Sequence, residues 1–205
     1  MKQLIVLAAV LAGFIWGSAF AQTYKVDAEK SALAWTGEKI TGKHHGTIAI
    51  KDGELVQDGA KFSGVFNIDM NSIVNEDLEG EWNDKLVGHL KSDDFFSVAN
   101  HPVATLKVNK VAPYNPKEGE TTTHVVTGDL TIKGITHEIS FPATISFTDE
   151  AMTANAAFTI DRTKWDVRFR SGSFFENLGD KMIYDDIKFD LTLVADKLAE
   201  MSMNK

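Results

Sequence analysis

From Tyr24 onward the chain alternates apolar and polar residues with a period of two, and that rhythm leaves few folds open to it. Phe62, Gly64, Phe66, Ile68 and Met70 share one face, opposite Lys61, Ser63, Asn67 and Asp69. The pattern returns in Ala104, Leu106 and Val108, in Val126, Gly128, Leu130 and Ile132, and in Ile135, His137, Ile139 and Phe141. Met152, Ala154, Ala156, Phe158 and Ile160 repeat it, as do Ile187, Phe189, Leu191 and Leu193. Successive side chains of a strand point to opposite faces, so such runs bury one side and wet the other, the habit of antiparallel sheets. Asp52-Gly53, Asp58-Gly59 and Lys133-Gly134 read as tight turns between runs, and Pro113 to Gly119 as a polar loop too short to link domains. With no βαβ rhythm and no internal repeat, about eight strands predict an all-β chain closed into a barrel.

One stretch breaks the period. Glu81 to Leu90 places Trp82, Leu86, His89 and Leu90 at helical spacing. Ser92 then reads as the N-cap of a second short helix, with Asp93 and Asp94 in its first turn and Phe95 and Phe96 beyond. A short helical insert among strands is expected to sit near one barrel mouth. At the other extreme of the chain, Lys2, the apolar run Leu4 to Trp16 and Ala19-Phe20-Ala21 form a signal-peptide pattern. That run is shorter than the ~20 residues of a spanning helix. Residues 1–21 are therefore expected to be cleaved, leaving 22–205 as a single barrel domain with no stable membrane anchor.

The 21 Lys and Arg against 29 Asp and Glu give a net charge of −8, and there is no cysteine. An acidic chain repels phosphate backbones, which argues against a nucleic-acid partner. Without cysteine there is no disulfide framework, thiolate metal site or cysteine nucleophile. The histidines assemble nothing either. His44 and His45 are adjacent on a strand, so their rings are expected on opposite faces. His137, in phase with Ile135 and Ile139, reads as a core residue. Asp93-Asp94 and Asp185-Asp186 are neighbours whose carboxylates diverge. No catalytic residue and no cofactor are expected.

The inward faces suggest contents instead. Gly64, Gly128, Ala154 and Ala156 are small where a solid core wants bulk, while Phe62, Phe66, Phe141, Phe158 and Phe189 supply apolar wall. That combination fits a slot, with a filled, tapering barrel as the alternative. A second cluster, Phe158 to Phe175, mixes aromatics with Arg162, Arg168 and Arg170, of which Arg162 is the candidate for a polar head group.

The order of motifs carries a family resemblance. Tyr24-Lys25-Val26-Asp27 leads to Trp35, and Gly88 to Phe96 (GHLKSDDFF) precedes His101-Pro102 and Ala104. Gly128 to Ile135 (GDLTIKGI) and Phe158 to Trp165 (FTIDRTKW) follow. Together they resemble the YceI-like family of periplasmic polyisoprenoid-binding proteins, from Tyr24 through Val194. Asp166 departs from the resemblance, which leads one to expect glycine after the aromatic. The resemblance implies a lipocalin-like eight-stranded antiparallel barrel around a long apolar channel. Its occupant would be an isoprenoid quinone, a polyprenyl phosphate or a fatty amphiphile, tail inside and head at the mouth. Expected tail contacts are Trp35, Phe62, Phe66, Leu90, Phe95, Phe96, Phe158 and Trp165, and expected head contacts are Arg162 and His89. The expected role is sequestration or transport of that lipid in the periplasm, as a monomer or a homodimer. Two other readings remain: an enzyme acting on a prenyl-type lipid, and a filled-barrel interaction protein in envelope stress.

Overall fold

A computed structural model describes residues 21–199; all but the last residue of the expected leader lies outside them. Eleven strands form one antiparallel sheet that closes on itself. They make eight walls, because the first three walls are each bent into two segments. The first joins β1 (Gln22–Val26) to β2 (Ala32–Lys39), and the second joins β3 (Gly42–Ile48) to β4 (Ile50–Asp58). The third joins β5 (Lys61–Asp69) to the two-residue β6 (Val74–Asn75). The remaining five are β7 (Val103–Pro113), β8 (His124–Ile132), β9 (Ile135–Phe147), β10 (Ala151–Asp161) and β11 (Ile183–Lys197). Each wall pairs with the next in sequence, and β11 returns to the first wall by pairing with β2 and then with β1. This is the eight-stranded antiparallel barrel that the alternation predicts.

The bends leave backbone groups without ladder partners, and short polar side chains take them up. Between β1 and β2, Asp27 Oδ1 accepts the amides of Glu29 and Lys30, while Ser31 Oγ bonds both Asp27 O and Val194 O. The Val194 amide donates back to Ser31 Oγ, which ties the break to β11. Between β3 and β4, the Ala49 amide donates to Ser72 Oγ at 2.7 Å. Ser72 belongs to the 3-10 turn Met70–Ser72 that bends the third wall, and Asp69 caps that turn.

Two hairpins match the expected turns. Asp58 pairs with Lys61 around Gly59 (φ 58), and Ile132 pairs with Ile135 around Lys133 and Gly134, both at positive φ. That double positive φ is the two-residue turn whose twist suits a hairpin. Asp52-Gly53, expected as a turn, lies inside β4 instead, just past a bulge, with Gly53 opposite Phe66. Gly64 and Gly128 also differ from expectation, since neither lines the interior space. A Cβ on Gly64 would fall 2.5 Å from Glu54 O, and one on Gly128 2.5 Å from Lys107 O. Both pair with Val108, beside the β7 bulge, so glycine there permits close backbone approach where the sheet curls.

The helix α1 (Gly80–Lys91) follows β6, at the barrel end that also holds the β2–β3, β8–β9 and β10–β11 connections. The second helix does not form. Ser92 is the C-cap of α1: its amide and hydroxyl both donate to His89 O. With the hydroxyl directed backwards, nothing caps a new helix, and Ser97 at φ 49 turns the chain away. The opposite barrel end is closed by aromatics, Phe147 packing on Tyr24 at 5.5 Å and on Phe62 at 5.8 Å.

Two glycines give opposite expected outcomes in a denaturant titration. Gly128→Ala forces backbone apart and costs about 1–3 kcal/mol. Gly88→Ala, inside α1 with nothing within 4 Å of its added methyl, stabilises by about 0.5–1 kcal/mol. Equal midpoints for Gly128→Ala and wild type would remove the close-approach account.

Candidate ligand channel

The barrel encloses a cavity of about 200 Å³ whose walls expose no polar surface. Its lining on β10 runs from Met152 to Ile160, eight steps or about 26 Å along a strand. At mid-height an aromatic belt crosses adjacent walls. Trp35 pairs with Phe189, and Phe189 pairs with Phe158. The Phe158 ring stacks on Phe189 at 5.4 Å and on Phe141 at 4.5 Å. Towards the closed end the lining is Ala154, Met152, Ala143 and Ile145; towards the helical end it is Leu90, Phe95, Phe96 and Ile160.

Of the expected contacts, Trp35, Phe66, Leu90, Phe95, Phe96, Phe158 and Arg162 line this cavity. Three do not. Phe62 belongs to the aromatic closure with Phe147. Trp165 is fully buried off the channel, its Nε1 donating to Leu130 O at 3.0 Å, in the region where β9 and β10 cease to pair. His89 packs outside it, its ring on Phe169 at 4.3 Å and on Phe95 at 5.6 Å. Tyr184, Ile183 and Gly37 also line the helical mouth and are not among the expected contacts. A register shift between Ile183 and Ile187 breaks the period there, so alternation gives no signal. His137, expected in the core, is exposed and meets Trp165 edge-on at 5.5 Å.

Arg162 is 1% exposed and its donors are committed to the protein. Nε donates to Tyr184 O, Nη1 to Val167 O and Nη2 to Ile183 O. Its guanidinium stands 5.6 Å from the Phe95 ring. Burial pulls its pKa down, against Asp185 and Asp161, which raise it. The ionic partner is Asp185 at 3.3 Å rather than Asp161, whose carboxylate accepts from Thr163 instead. Two buried side-chain polar atoms lack a hydrogen-bond partner among the described residues: Asp185 Oδ1, whose contact with Arg162 is ionic only, and His89 Nε2. Burial lowers the His89 pKa; Asp94 opposes this and Arg170 adds to it.

Asp166, in place of the expected glycine, adopts φ 59 and ψ 28, the left-handed conformation that asparagine and aspartate tolerate best after glycine. Its carbonyl accepts from Lys133 Nζ, and its carboxylate holds Arg168 at 2.8 Å.

The mouth is pinned on its far side by a contact the sequence hides. Asp77 Oδ2 lies 2.8 Å from His44 Nδ1, and Oδ1 accepts the His45 amide and lies 3.8 Å from the His45 ring. Both rings therefore reach one carboxylate. β6 pairs with β3 only at Gly46 and Thr47; beyond it the His45 carbonyl takes the Glu76 amide and the His45 amide goes to Asp77, which sets that carboxylate at the β3 edge within reach of both rings. Burial pushes Asp77 up, but donors from His45, His44 and Asn75 outweigh it and hold the carboxyl at about 2.

Two stability measurements follow. Arg162→Met leaves three carbonyls and Asp185 without their cation and lowers stability by about 3–5 kcal/mol. Arg162→Lys recovers little of it, because an ammonium cannot span the three carbonyls; a urea midpoint near wild type for either would remove the strut. Asp77 favours its charged form in the fold, so its contribution is complete above its ordinary 3.8 and is lost as pH falls through about 2. Asp77→Asn therefore costs about 2 kcal/mol at neutral pH, with the gap to wild type closing below 3.8 in acid titrations.

A UPF0312 protein of Pseudomonas putida strain W619 is 32% identical over 135 residues, 63% of this chain; the aligned region spans 65% of that relative's length, just under two thirds. Burkholderia cenocepacia BcnA superposes with a TM-score of 0.61 at 24% identity, covering 83% of this chain and 99% of that one. A polyisoprenoid binding domain from Saccharophagus degradans, implicated in plant cell wall breakdown, gives 0.59 at 17% identity, over 85% and 98%. A Campylobacter jejuni YceI protein gives 0.51 at 20%, over 73% and 84%. These structural likenesses show a shared barrel. The YceI-like domain matches residues 24–195, and the chain belongs to that family.

Proposed function

We propose that this protein binds one isoprenoid-tailed amphiphile in its channel and sequesters or carries it in the periplasm. The observation that carries the reading is an apolar channel traversing the barrel, closed by aromatics at one end and bordered at the other by Arg162 and Tyr184. Family membership and the likeness to a domain named for polyisoprenoid binding support the ligand class. Quinone, prenyl phosphate and fatty amphiphile remain the candidate occupants. Because the Arg162 donors are already engaged, tail length sets affinity more than head chemistry. Each buried methylene-sized group contributes ~0.8 kcal/mol, so ten carbons contribute about 8 kcal/mol. Association costs of about 4–15 kcal/mol make several isoprene units necessary for tight binding. Export rests on the leader pattern in residues 1–21, and a periplasmic chain beginning at Gln22 is its expected product.

Native mass spectrometry of the protein from its own periplasm tests both parts. The expected spectrum shows a chain starting at Gln22 with one lipid adduct. Ala154→Trp fills the channel at a lining position and is expected to abolish the adduct while circular dichroism and melting remain those of a folded barrel. A folded Ala154→Trp protein that keeps its lipid would overturn the channel assignment, and a bare wild-type mass after incubation with isoprenoid quinones and prenyl phosphates would overturn the ligand class.

A further inference from the structure

Six of the nine large hydrophobic residues exposed among the described residues lie at the helical end: Ile40, Val74, Trp82, Phe174, Phe175 and Tyr184. Phe174 and Phe175, about half exposed, are adjacent in the chain and are presented by a braced backbone. Their amides both donate to the carbonyl of Ser171, itself fully buried and bridged to Ile183. Ser173 Oγ bonds Asp185 Oδ2 at 2.6 Å, and the Ile40 amide donates to Met182 O, so the β2–β3 hairpin joins the same rim. Tyr184 belongs to this rim and to the channel lining at once. A fixed apolar rim around the mouth of an apolar channel is exposed surface that monomers rarely keep without use.

Its chemistry favours a lipid surface. Arg168 stands 4.6 Å from the Phe174 ring and Arg170 4.9 Å from the Phe169 ring. Such pairs suit the boundary of a bilayer, ring against the acyl region and guanidinium at the phosphates. Within this lobe Arg168, Arg170 and Lys181 are exposed against Asp166, Glu176 and Asp180, so it is neutral, and the adjoining β2–β3 tip adds Lys39 and Lys43 against Glu38, in a chain of net −8. The segment 76–94 across the mouth is strongly acidic, with seven Asp and Glu against two Lys. We propose that the lobe formed by residues 166–184, with the tip of the β2–β3 hairpin, docks on a phospholipid bilayer and sets the channel mouth against it. The orientation follows from the charge: the lobe leads, and the acidic helix with Trp82 stays in water. The proposal rests on the lipid-binding reading and supplies the route by which a tail passes between membrane and channel.

Flotation with vesicles of phosphatidylethanolamine containing a quarter phosphatidylglycerol tests it. Wild type is expected to float, and Phe174→Ser/Phe175→Ser to lose about tenfold in partitioning. Arg168→Gln/Arg170→Gln is expected to weaken flotation on these vesicles and to match wild type on uncharged phosphatidylcholine. A wild type that stays with the buffer, or a double serine variant that floats as well as wild type, would overturn the docking surface. So would a wild-type dimer in sedimentation velocity that the serine variant dissolves, which would assign the patch to a second copy. Neither phenylalanine lines the channel, so native mass spectrometry of the serine variant is expected to keep the lipid adduct. Failed flotation with the adduct retained removes docking alone, whereas a wild type without adduct removes the lipid-binding reading.

Discussion

β11 closes the sheet on the first wall, through β2 along most of its length and through β1 at Tyr24–Lys197, Lys25–Asp196 and Val26–Ala195. The rest of the interior depends on that closure. β11 is fifteen residues long and serves the two halves of the first wall in turn, β2 along its first part and β1 along its last. Ser31 keeps those halves on one edge by bonding to Val194 from the break between them. Were β1 to detach, β4 and β11 would each present an open edge, and water would reach the channel from the side. A dry interior is therefore a property of closure, and apolar side chains alone would not provide it.

The mouth is organised by a different kind of contact. A buried guanidinium is costly to desolvate, and Arg162 offsets that cost by gathering carbonyls from Val167, Ile183 and Tyr184. Those carbonyls belong to two segments that are also joined by the bridge from Ser171 to Ile183 and by Ser173 Oγ bonding Asp185. The arginine thus fixes where β11 begins relative to the lobe that precedes it. Asp166 adds to the same region from a left-handed backbone position, with Lys133 and Arg168 holding it. Across the opening, Asp77 performs the corresponding task for β3 and β6 through His44, His45 and Asn75.

How much of this the sequence discloses depends on whether an element is regular. β8 and β10 run without a bulge, and their apolar faces at Val126 to Ile132 and Met152 to Ile160 are the inward faces of the barrel. The helix of residues 80–91 is legible from spacing for the same reason. Legibility fails at irregularities and at long range. The β4 bulge hides Asp52-Gly53 inside a strand, and the β11 register shift conceals Tyr184. Small residues are ambiguous in one dimension: Ala154 and Ala156 leave space in the channel, while Gly64 and Gly128 give theirs to neighbouring backbone. Arg162 marks a cation among aromatics in the sequence, but only its three carbonyl partners show that it is a strut. The bond from Asp77 to His44 spans 33 residues and has no local signature.

If the channel holds a lipid tail as proposed, the aromatic belt would grade its response to tail length. Phe141, Phe158 and Phe189 stack across three walls, and Trp35 continues the belt to a fourth. Above it lie Ile160, Leu90 and Phe95; below it lie Ala154, Met152 and Ile145. A space of about 200 Å³ exceeds the ~150 Å³ cavity that takes up benzene, yet falls below the ~300 Å³ at which ligand pockets usually begin. A short tail therefore fills the section near the mouth without moving the belt. A longer tail would have to pass the stacked rings to reach the inner section, where Ala143 and Ala154 line the space. Because Tyr24, Phe62 and Phe147 pack together at the far end, the proposed tail would have one direction in which to advance, with its polar head at the mouth. Selection by length then follows from packing, with no charged group required to read the head.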